Sequence, residues 1–287
     1  MTETPELKSE ICIVTDSTCD LPAHVVEALN IQVVPCYVNM EGKSYLDGVE
    51  LSRPDFYQRL PDLTEPATTA APGLGLFEDV YRKLIDAGAK KIISIHVTSS
   101  LSSVVESARL AAKNIRGNVV EVIDSGQLSL GLGYLVEEAA KAVQTGAEAM
   151  KVIQLVRERT ANVFLYAVLD TLEYLRRSGR ISSLKSGLGN LLHIHPIVIV
   201  HQGEVLVEMV RTKYKAVEKI REKVAGLGSL QKMAVVHAYA LDAAREVFNT
   251  VAQYLPRNNG DLYYSDITPA IGVHVGPKAI GIICVKE

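Results

Sequence analysis

Tryptophan is absent from this sequence of 287 residues, and aromatic residues make up only 6% of it. Hydrophobic residues nevertheless reach 48%, and the mean hydropathy is +0.15. This composition favours cores, and an internal cavity, built from aliphatic side chains. The length is sufficient for one large domain or for two smaller ones.

The sequence also lacks the features that direct a protein to membranes or nucleic acids. It contains no uncharged apolar run of about 18 residues, which a membrane span requires. The opening segment MTETPELKSE has neither the basic nor the apolar region of a signal peptide. A net charge of -3 provides no basic field for nucleic acid. We therefore expect a cytoplasmic protein without an integral membrane segment.

Recognisable metal, redox and nucleotide motifs are missing as well. The cysteines are scattered without a C-x-x-C pair, which favours reduced, buried thiols; they are Cys12, Cys19, Cys36 and Cys284. His193 and His195 are compatible with a metal site, but Pro196 and the adjoining apolar segment favour a structural role. The sequence contains no phosphate-binding loop, no G-x-G-x-x-G after a strand, no H-E-x-x-H and no G-x-S-x-G.

Apolar segments alternate with amphipathic helices through the first half of the chain. Strands are expected at 11–14, 31–38, 92–97 and 119–123, and this alternation predicts a parallel sheet flanked by helices. The second half combines a hairpin at Gln202 and Gly203 with crossover connections, which predicts a mixed sheet. We therefore expect a two-domain α/β protein, with domains at 11–158 and 159–287.

Polar side chains follow three of the predicted parallel strands, at residues 15–18, 98–103 and 124–125. Ligands of such sheets bind at the carboxyl ends of the strands. Ser103 and Glu106 have capping-box spacing, which predicts a helix start directly after the second of these segments. A helix N-terminus beside several hydroxyls suits a small anion such as a carboxylate. The alternative is that these serines only cap the helix and turn the loop.

His274 stands in an apolar segment between Gly272 and Gly276, which we interpret as a strand. It is compatible with a buried structural histidine or with one that reaches a pocket. A nucleophilic triad of Ser99 or Ser102 with His274 and Asp16 is conceivable, although no nucleophile-elbow motif supports it.

Arg180 directly follows Gly179, at the end of the helix predicted from the segment DTLEYLRRSGRISS. Its guanidinium can cap that helix or meet an anionic partner. The sequence leaves both roles open.

Five segments together resemble the DegV family of bacterial fatty-acid-binding proteins, some of which are lipid-presenting subunits of fatty acid kinase. The segments are IVTDSTCDLP at 13–22, ATTAAP at 67–72, TSSLSSVVESA at 98–108, TLEYLRRSGRIS at 171–182 and HVGPKAIG at 274–281. The resemblance implies a DegV-like fold of two α/β domains with one long acyl chain buried between them.

The resemblance also implies site residues and a partner. The carboxylate would be held by hydroxyls and a histidine at Thr68, Thr69, Ser99, Ser100, Ser102 and His274. Arg180 would serve phosphotransfer by a separate ATP-dependent kinase, so the chain itself would be a lipid-binding protein without cofactor or metal. The alternatives are a hydrolase or transferase that acts on an acyl or phosphoryl ester through a Ser or Thr hydroxyl and His274, and a lipid-responsive sensor.

Three segments depart from the usual pattern of the family. Ala70 and Ala71 replace polar residues, Ser103 and Val104 replace a Gly-Thr pair, and Lys278 replaces a glycine. These changes bear on the head-group contacts and on the partner surface.

Overall fold

The computed structural model describes residues 9–180, 194–256 and 263–287. The strands in these ranges are β1 Ile11–Asp16, β2 Gln32–Val34, β3 Tyr37–Met40, β4 Lys43–Leu46, β5 Thr68–Ala70, β6 Lys91–His96, β7 Val120–Asp124, β8 Val163–Val168, β9 His195–His201, β10 Glu204–Val210, β11 Leu230–His237, β12 Tyr264–Asp266 and β13 Ile280–Lys286. The helices are α1 Ala23–Ala28, α2 Arg53–Arg59, α3 Leu74–Asp86, α4 Val104–Lys113, α5 Leu130–Gln144, α6 Ala149–Thr160, α7 Glu173–Arg177, α8 Lys213–Gly226, α9 Leu241–Val251 and α10 Pro269–Val275.

The first half forms the predicted parallel sheet, in the order β2-β1-β6-β7. The single strand expected at 31–38 was wrong, because it divides into β2 and β3 on either side of Pro35. Proline cannot donate to a strand ladder, so the parallel pairing ends before it. The second piece joins a small antiparallel sheet with the order β4-β3-β5.

The second half forms the predicted mixed sheet, in the order β10-β9-β8-β13-β11-β12. Its neighbours are antiparallel except for the parallel pair β11 and β12. The predicted hairpin is present, with Gln202 and Gly203 at φ 48° and 78° in a two-residue loop.

Alternate residues of each strand in this six-stranded sheet point to opposite faces, and both faces are buried. Tyr166 and Ile282 pack with residues of α8 and α9 in one core. Leu165 and Ile283 belong instead to the core that includes the parallel sheet. The second sheet therefore has one face covered by its own helices and one face turned toward the first half.

A buried carboxylate joins several of these elements. Asp20 does not cap α1, because Pro22 precedes that helix and Asp20 closes a short 3-10 turn at φ 54°. Its carboxylate instead accepts hydrogen bonds from Arg53 Nη2 at 3.2 Å, Thr268 N at 2.8 Å and Ser129 Oγ at 2.6 Å. The loop after β1 is thereby fixed to α2, α5 and α10.

The predicted capping box of α4 does not form. Ser103 occupies the N-cap position, but its side chain makes no capping hydrogen bond. Ser102 Oγ accepts from the Val104 amide at 3.4 Å instead, and Glu106 pairs with Arg109. The helix begins where predicted, but a different serine contacts its first turn.

All four cysteines are buried and free, as the sequence predicted. Within the described ranges there is no cluster of three potential metal ligands. His195 opens β9, whereas His193 lies outside the described residues. None of the helices described has the length and apolar character needed to cross a bilayer.

Replacing Asp20 by Ala should lower the free energy of unfolding by about 3 kcal/mol, because three donors lose their buried acceptor. Urea denaturation of the wild type and the variant measures this change. Glu10→Ala is the control, since the ion pair of Glu10 with Lys90 is exposed at the surface. Equal stability of the two variants would contradict the role given to Asp20.

Candidate functional site

A cavity of about 320 Å³ lies between the inward face of the second sheet and the loops at the carboxyl ends of the first. This volume is within the range of about 300–1,000 Å³ that is common for ligand pockets. Apart from the thiol of Cys36, its apolar lining side chains are aliphatic, as the composition predicted: Ala70, Ala71, Val97, Leu101, Leu128, Leu165, Ala167, Leu169, Leu175, Val198, Val200, Val205, Val236, Ile267, Ala270, Ile271, Val275 and Ala279.

Small residues in the centre of the second sheet make room for this cavity. Val198, Ala167, Gly281 and Val236 are consecutive cross-strand neighbours on β9, β8, β13 and β11. A Cβ atom at Gly281 would lie 2.8 Å from Val236 Cγ2, so a larger residue does not fit without movement. The surface of the sheet that faces the cavity is therefore recessed at its two central strands, β8 and β13.

Two polar side chains, Thr69 and His274, form one end of the cavity. Thr69 Oγ1 on β5 lies 2.9 Å from His274 Nε2 on α10, and both side chains line the cavity. The two residues are 205 positions apart in sequence, so this pair depends on the packing of α10 against the small sheet.

The strand expected around His274 was wrong, because the residue lies in helix α10. The alternating β-branched residues of this segment resemble a strand, yet Pro269 occupies the first turn and Gly276 follows the last residue at φ 72°. Proline at the start and glycine at the end are typical of helices, and this signal was available in the sequence.

The polar end combines a neutral imidazole with one positive charge. Burial, and to a smaller extent the nearby charge of Arg180, lowers the pKa of His274 to about 3. Its Nδ1 atom is buried without a hydrogen-bond partner among the described residues. Arg180 lines the cavity, donates to the Ser178 carbonyl at 2.9 Å and is paired with no carboxylate in the described ranges. This end of the cavity therefore favours an anion.

Additional hydroxyls border the cavity at the starts of two helices. Ser102 and Ser103 lie at the start of α4, and Ser129 lies at the start of α5. The positive ends of these helix dipoles add to the attraction for an anion. Thr18, in the predicted polar segment 15–18, and Ser129, which the sequence did not indicate, also line the cavity. Ser129 could have been noted as the residue that begins α5, but its bond to Asp20 spans 109 positions.

The structure separates the sequence-predicted site residues into two groups. Thr69, Ser102, Arg180 and His274 line the cavity, whereas Thr68, Ser99 and Ser100 do not. Thr68 points away from Thr69, as adjacent strand residues do, and accepts from Asn39 at the surface. Ser99 and Ser100 are exposed and line a different surface cleft.

The conceivable triad with Asp16 is not formed. Asp16 Oδ2 lies 3.0 Å from His96 Nδ1, and His96 Nε2 lies 2.6 Å from Ser94 Oγ, all within the parallel sheet. Burial acts to raise the pKa of Asp16, but the hydrogen bond and charge of His96 outweigh it and hold this pKa below its usual value. His274 therefore has no link to this carboxylate.

The departures from the usual DegV pattern also have structural positions. Ala70 and Ala71 place methyl groups on the cavity wall. Lys278 is exposed at φ 64° and does not line the cavity. A left-handed backbone favours glycine, which explains the glycine that is usual there. The lysine charge therefore lies outside the cavity.

Two α/β halves that enclose an aliphatic cavity with a hydroxyl, imidazole and guanidinium end define a class of small-molecule-binding α/β proteins. A family model described as "Uncharacterised protein, DegV family" matches residues 10–287. The chain belongs to the DegV family.

Curated relatives and solved structures agree with this assignment. DegV domain-containing proteins of Staphylococcus aureus and Halalkalibacterium halodurans are 33% and 34% identical, and each alignment covers 96% of this chain and 98% of the relative. The fatty-acid-binding DegV family protein of Thermus thermophilus has a TM-score of 0.86 at 29% identity, covering 96% of this chain and 99% of its own. The fatty-acid-binding DegV of Bacillus subtilis gives the same score and identity, covering 97% and 100%.

The pKa of His274 predicts a pH-dependent stability. The folded-state pKa of about 3 is below the ordinary value of 6.5, so protons bind the unfolded chain more strongly. The His274 contribution to stability is complete above pH 6.5 and is lost as the pH falls toward 3. Between pH 7.5 and pH 5, the wild type should lose about 2 kcal/mol more than His274→Asn, measured by urea denaturation.

His24→Asn is the control for this measurement, because His24 is exposed on α1. It should retain the pH dependence of the wild type. A wild-type loss equal to that of His274→Asn would contradict the low pKa.

Proposed function

We propose that the cavity binds one long-chain fatty acid, with its acyl chain against the aliphatic wall and its carboxylate at the polar end. The observation that carries this proposal is the continuity of an aliphatic cavity with the Thr69 and His274 pair beside Arg180. The fatty-acid-binding relatives from Thermus thermophilus and Bacillus subtilis support it.

Burial of the acyl chain provides most of the binding free energy. Each methylene removed from water contributes about 0.8 kcal/mol, so a C16 chain offers on the order of ten kcal/mol before the costs of binding. The head group needs only a few oriented contacts. We propose that Thr69 and Ser102 donate their hydroxyl protons to the carboxylate oxygens, and that His274 donates its Nε2–H to Thr69 Oγ1 and thereby orients the threonine hydroxyl.

An ester hydrolase or transferase that uses a hydroxyl and His274 is less well supported. A general base is most effective when its pKa is near the working pH. The pKa of His274, at about 3, is far below neutrality, and Asp16 is paired with His96 instead. The pair of Thr69 and His274 is better suited to hydrogen bonding with a carboxylate than to base catalysis.

We further propose that the chain is a lipid-presenting subunit in the cytoplasm, with its cavity between domains 11–158 and 159–287. A separate ATP-dependent fatty acid kinase would transfer the γ-phosphoryl group of ATP to a carboxylate oxygen, which releases ADP. Arg180 lies at the polar end, where its charge would stabilise the developing negative charge of the transferring group.

Native mass spectrometry of the freshly purified protein, with extraction of the bound lipid, tests the fatty-acid proposal. We expect a mass excess equal to one long-chain fatty acid. Ala167→Leu should reduce the occupied fraction, because the larger side chain fills the centre of the cavity. Thr69→Val should also reduce it, because the hydroxyl is lost without a change of volume.

The matched controls are Ala225→Leu on the exposed side of α8 and Ser99→Ala outside the cavity. Both should retain the lipid content of the wild type. A wild type that stays ligand-free after incubation with fatty acids would refute the proposal. Full occupancy in Ala167→Leu would refute the assigned position of the acyl chain.

The kinase proposal predicts that lipid-loaded Arg180→Ala, compared with the wild type at equal lipid occupancy, loses acyl-phosphate formation by about 100-fold, the usual effect of removing one charge-stabilising donor. The assay combines the lipid-loaded protein with a fatty acid kinase and ATP. Arg176→Ala is the control, because Arg176 is exposed and paired with Glu173 one turn away. Normal turnover by Arg180→Ala would remove Arg180 from this role.

A further inference from the structure

A second cleft, of about 800 Å³, opens at the surface of the C-terminal half and shares no lining residue with the acyl cavity. It lies at the carboxyl ends of β11 and β12, the parallel pair of the mixed sheet. This is the edge at which α/β sheets bind ligands. The cleft residues that matter here are His237, Tyr239, Arg245, Asn249, Tyr264 and Asp266.

At the base of the cleft, His237 Nδ1 lies 2.8 Å from Asp266 Oδ1, and the histidine side chain is only 5% exposed. Burial lowers the pKa of His237 more than Asp266 raises it, so the ring is neutral at pH 7. The Ala240 amide also lies 3.4 Å from Nδ1, but the shorter contact with the carboxylate assigns the ring proton to Nδ1. Nε2 is then a hydrogen-bond acceptor.

This Nε2 atom makes no hydrogen bond to any residue in the described parts of the chain. The histidine lines the cleft, and its Nε2 acceptor is open to a donor from a ligand or from water. A hydroxyl or amine group of a bound molecule can be that donor.

Two tyrosine rings stand at the cleft with much of their surface exposed. Tyr239 is 54% exposed and Tyr264 is 37% exposed. Tyr239 has φ 53°, stacks on Tyr57 at 6.0 Å and donates its amide to Asp266 Oδ1 at 3.3 Å. Its ring is thus fixed in position at the surface, where it offers a flat apolar face to a planar group.

The opposite wall is helix α9, which contributes a positive charge and an amide. Arg245 and Asn249 are four residues apart and therefore share one helix face. Arg245 pairs with Asp242 at 3.8 Å, and this carboxylate is 98% exposed, so it offsets the charge only weakly.

We propose that this cleft binds a nucleoside monophosphate. The base packs on the rings of Tyr239 and Tyr264, the phosphate pairs with Arg245, and a ribose hydroxyl or base amine donates to His237 Nε2. The tyrosine rings, the Arg245 guanidinium and the His237 acceptor line the same cleft and match the base, the phosphate and the sugar or base donor of such a ligand.

Calorimetric titration of the full-length protein with AMP tests this proposal, with adenosine and inorganic phosphate as comparison ligands. We expect saturable AMP binding that is tighter than that of either fragment. Arg245→Gln and Tyr239→Asn should each weaken it by about tenfold. Asparagine tolerates the left-handed backbone at position 239, so this variant removes the ring and keeps the loop. Arg109→Gln, an exposed arginine on α4, should bind like the wild type.

Absence of saturable AMP binding would overturn the proposal, as would equal affinity in the wild type and in both cleft variants. Equal weakening by Arg109→Gln would show nonspecific attraction to surface charge and would also overturn it. The lipid content of each variant, measured by native mass spectrometry, should be unchanged. This readout keeps the test separate from the fatty-acid proposal.

Discussion

The Asp20 carboxylate is the interaction on which the arrangement of the two halves depends. It lies in the turn after β1 and accepts hydrogen bonds from α2, from the start of α5 and from the start of α10. Its pKa is raised to about 6, because burial outweighs the opposite effects of the Arg53 charge and of the hydrogen bonds from Ser129 and Thr268. Ser129 and the helix that carries His274 both border the cavity, so this one buried acceptor fixes two parts of the site relative to the parallel sheet.

The second sheet imposes the other constraint. Because both of its faces are buried, its inward face must be filled either by protein side chains or by a ligand. Ala167 and Gly281 leave that face unfilled at the centre. An empty cavity costs about 24 cal/mol per Å³, so a void of 320 Å³ costs on the order of 8 kcal/mol. This is a large part of the 5–15 kcal/mol by which domains are usually stable, and an apolar ligand recovers it.

The sequence predicted the features that local patterns determine. The parallel and mixed sheets, the hairpin at Gln202 and the aliphatic character of the cavity follow from residue periodicity and composition. The helix around His274 was missed because its β-branched residues outweighed the proline and glycine signals at its ends. The resemblance named Thr69 and Ser102 together with three hydroxyls that lie outside the cavity, because the packing of distant elements decides which of the five face it. The roles of Asp20 and Ser129 were missed for the same reason.

In the proposed complex with a fatty acid, the acyl chain and the carboxylate head group contribute differently to binding. Arg180 carries the one full charge among the described residues that line the cavity, and His274 is neutral there. A carboxylate moved from water into this site loses hydration, and one guanidinium with a few hydroxyls compensates only part of that cost. The acyl chain must supply the remainder of the free energy. Bound carboxylate would in turn raise the pKa of His274, because an adjacent negative charge favours the imidazolium. Affinity would then depend mainly on the aliphatic wall, while the orientation of the reactive oxygen would depend on Thr69, His274 and Arg180.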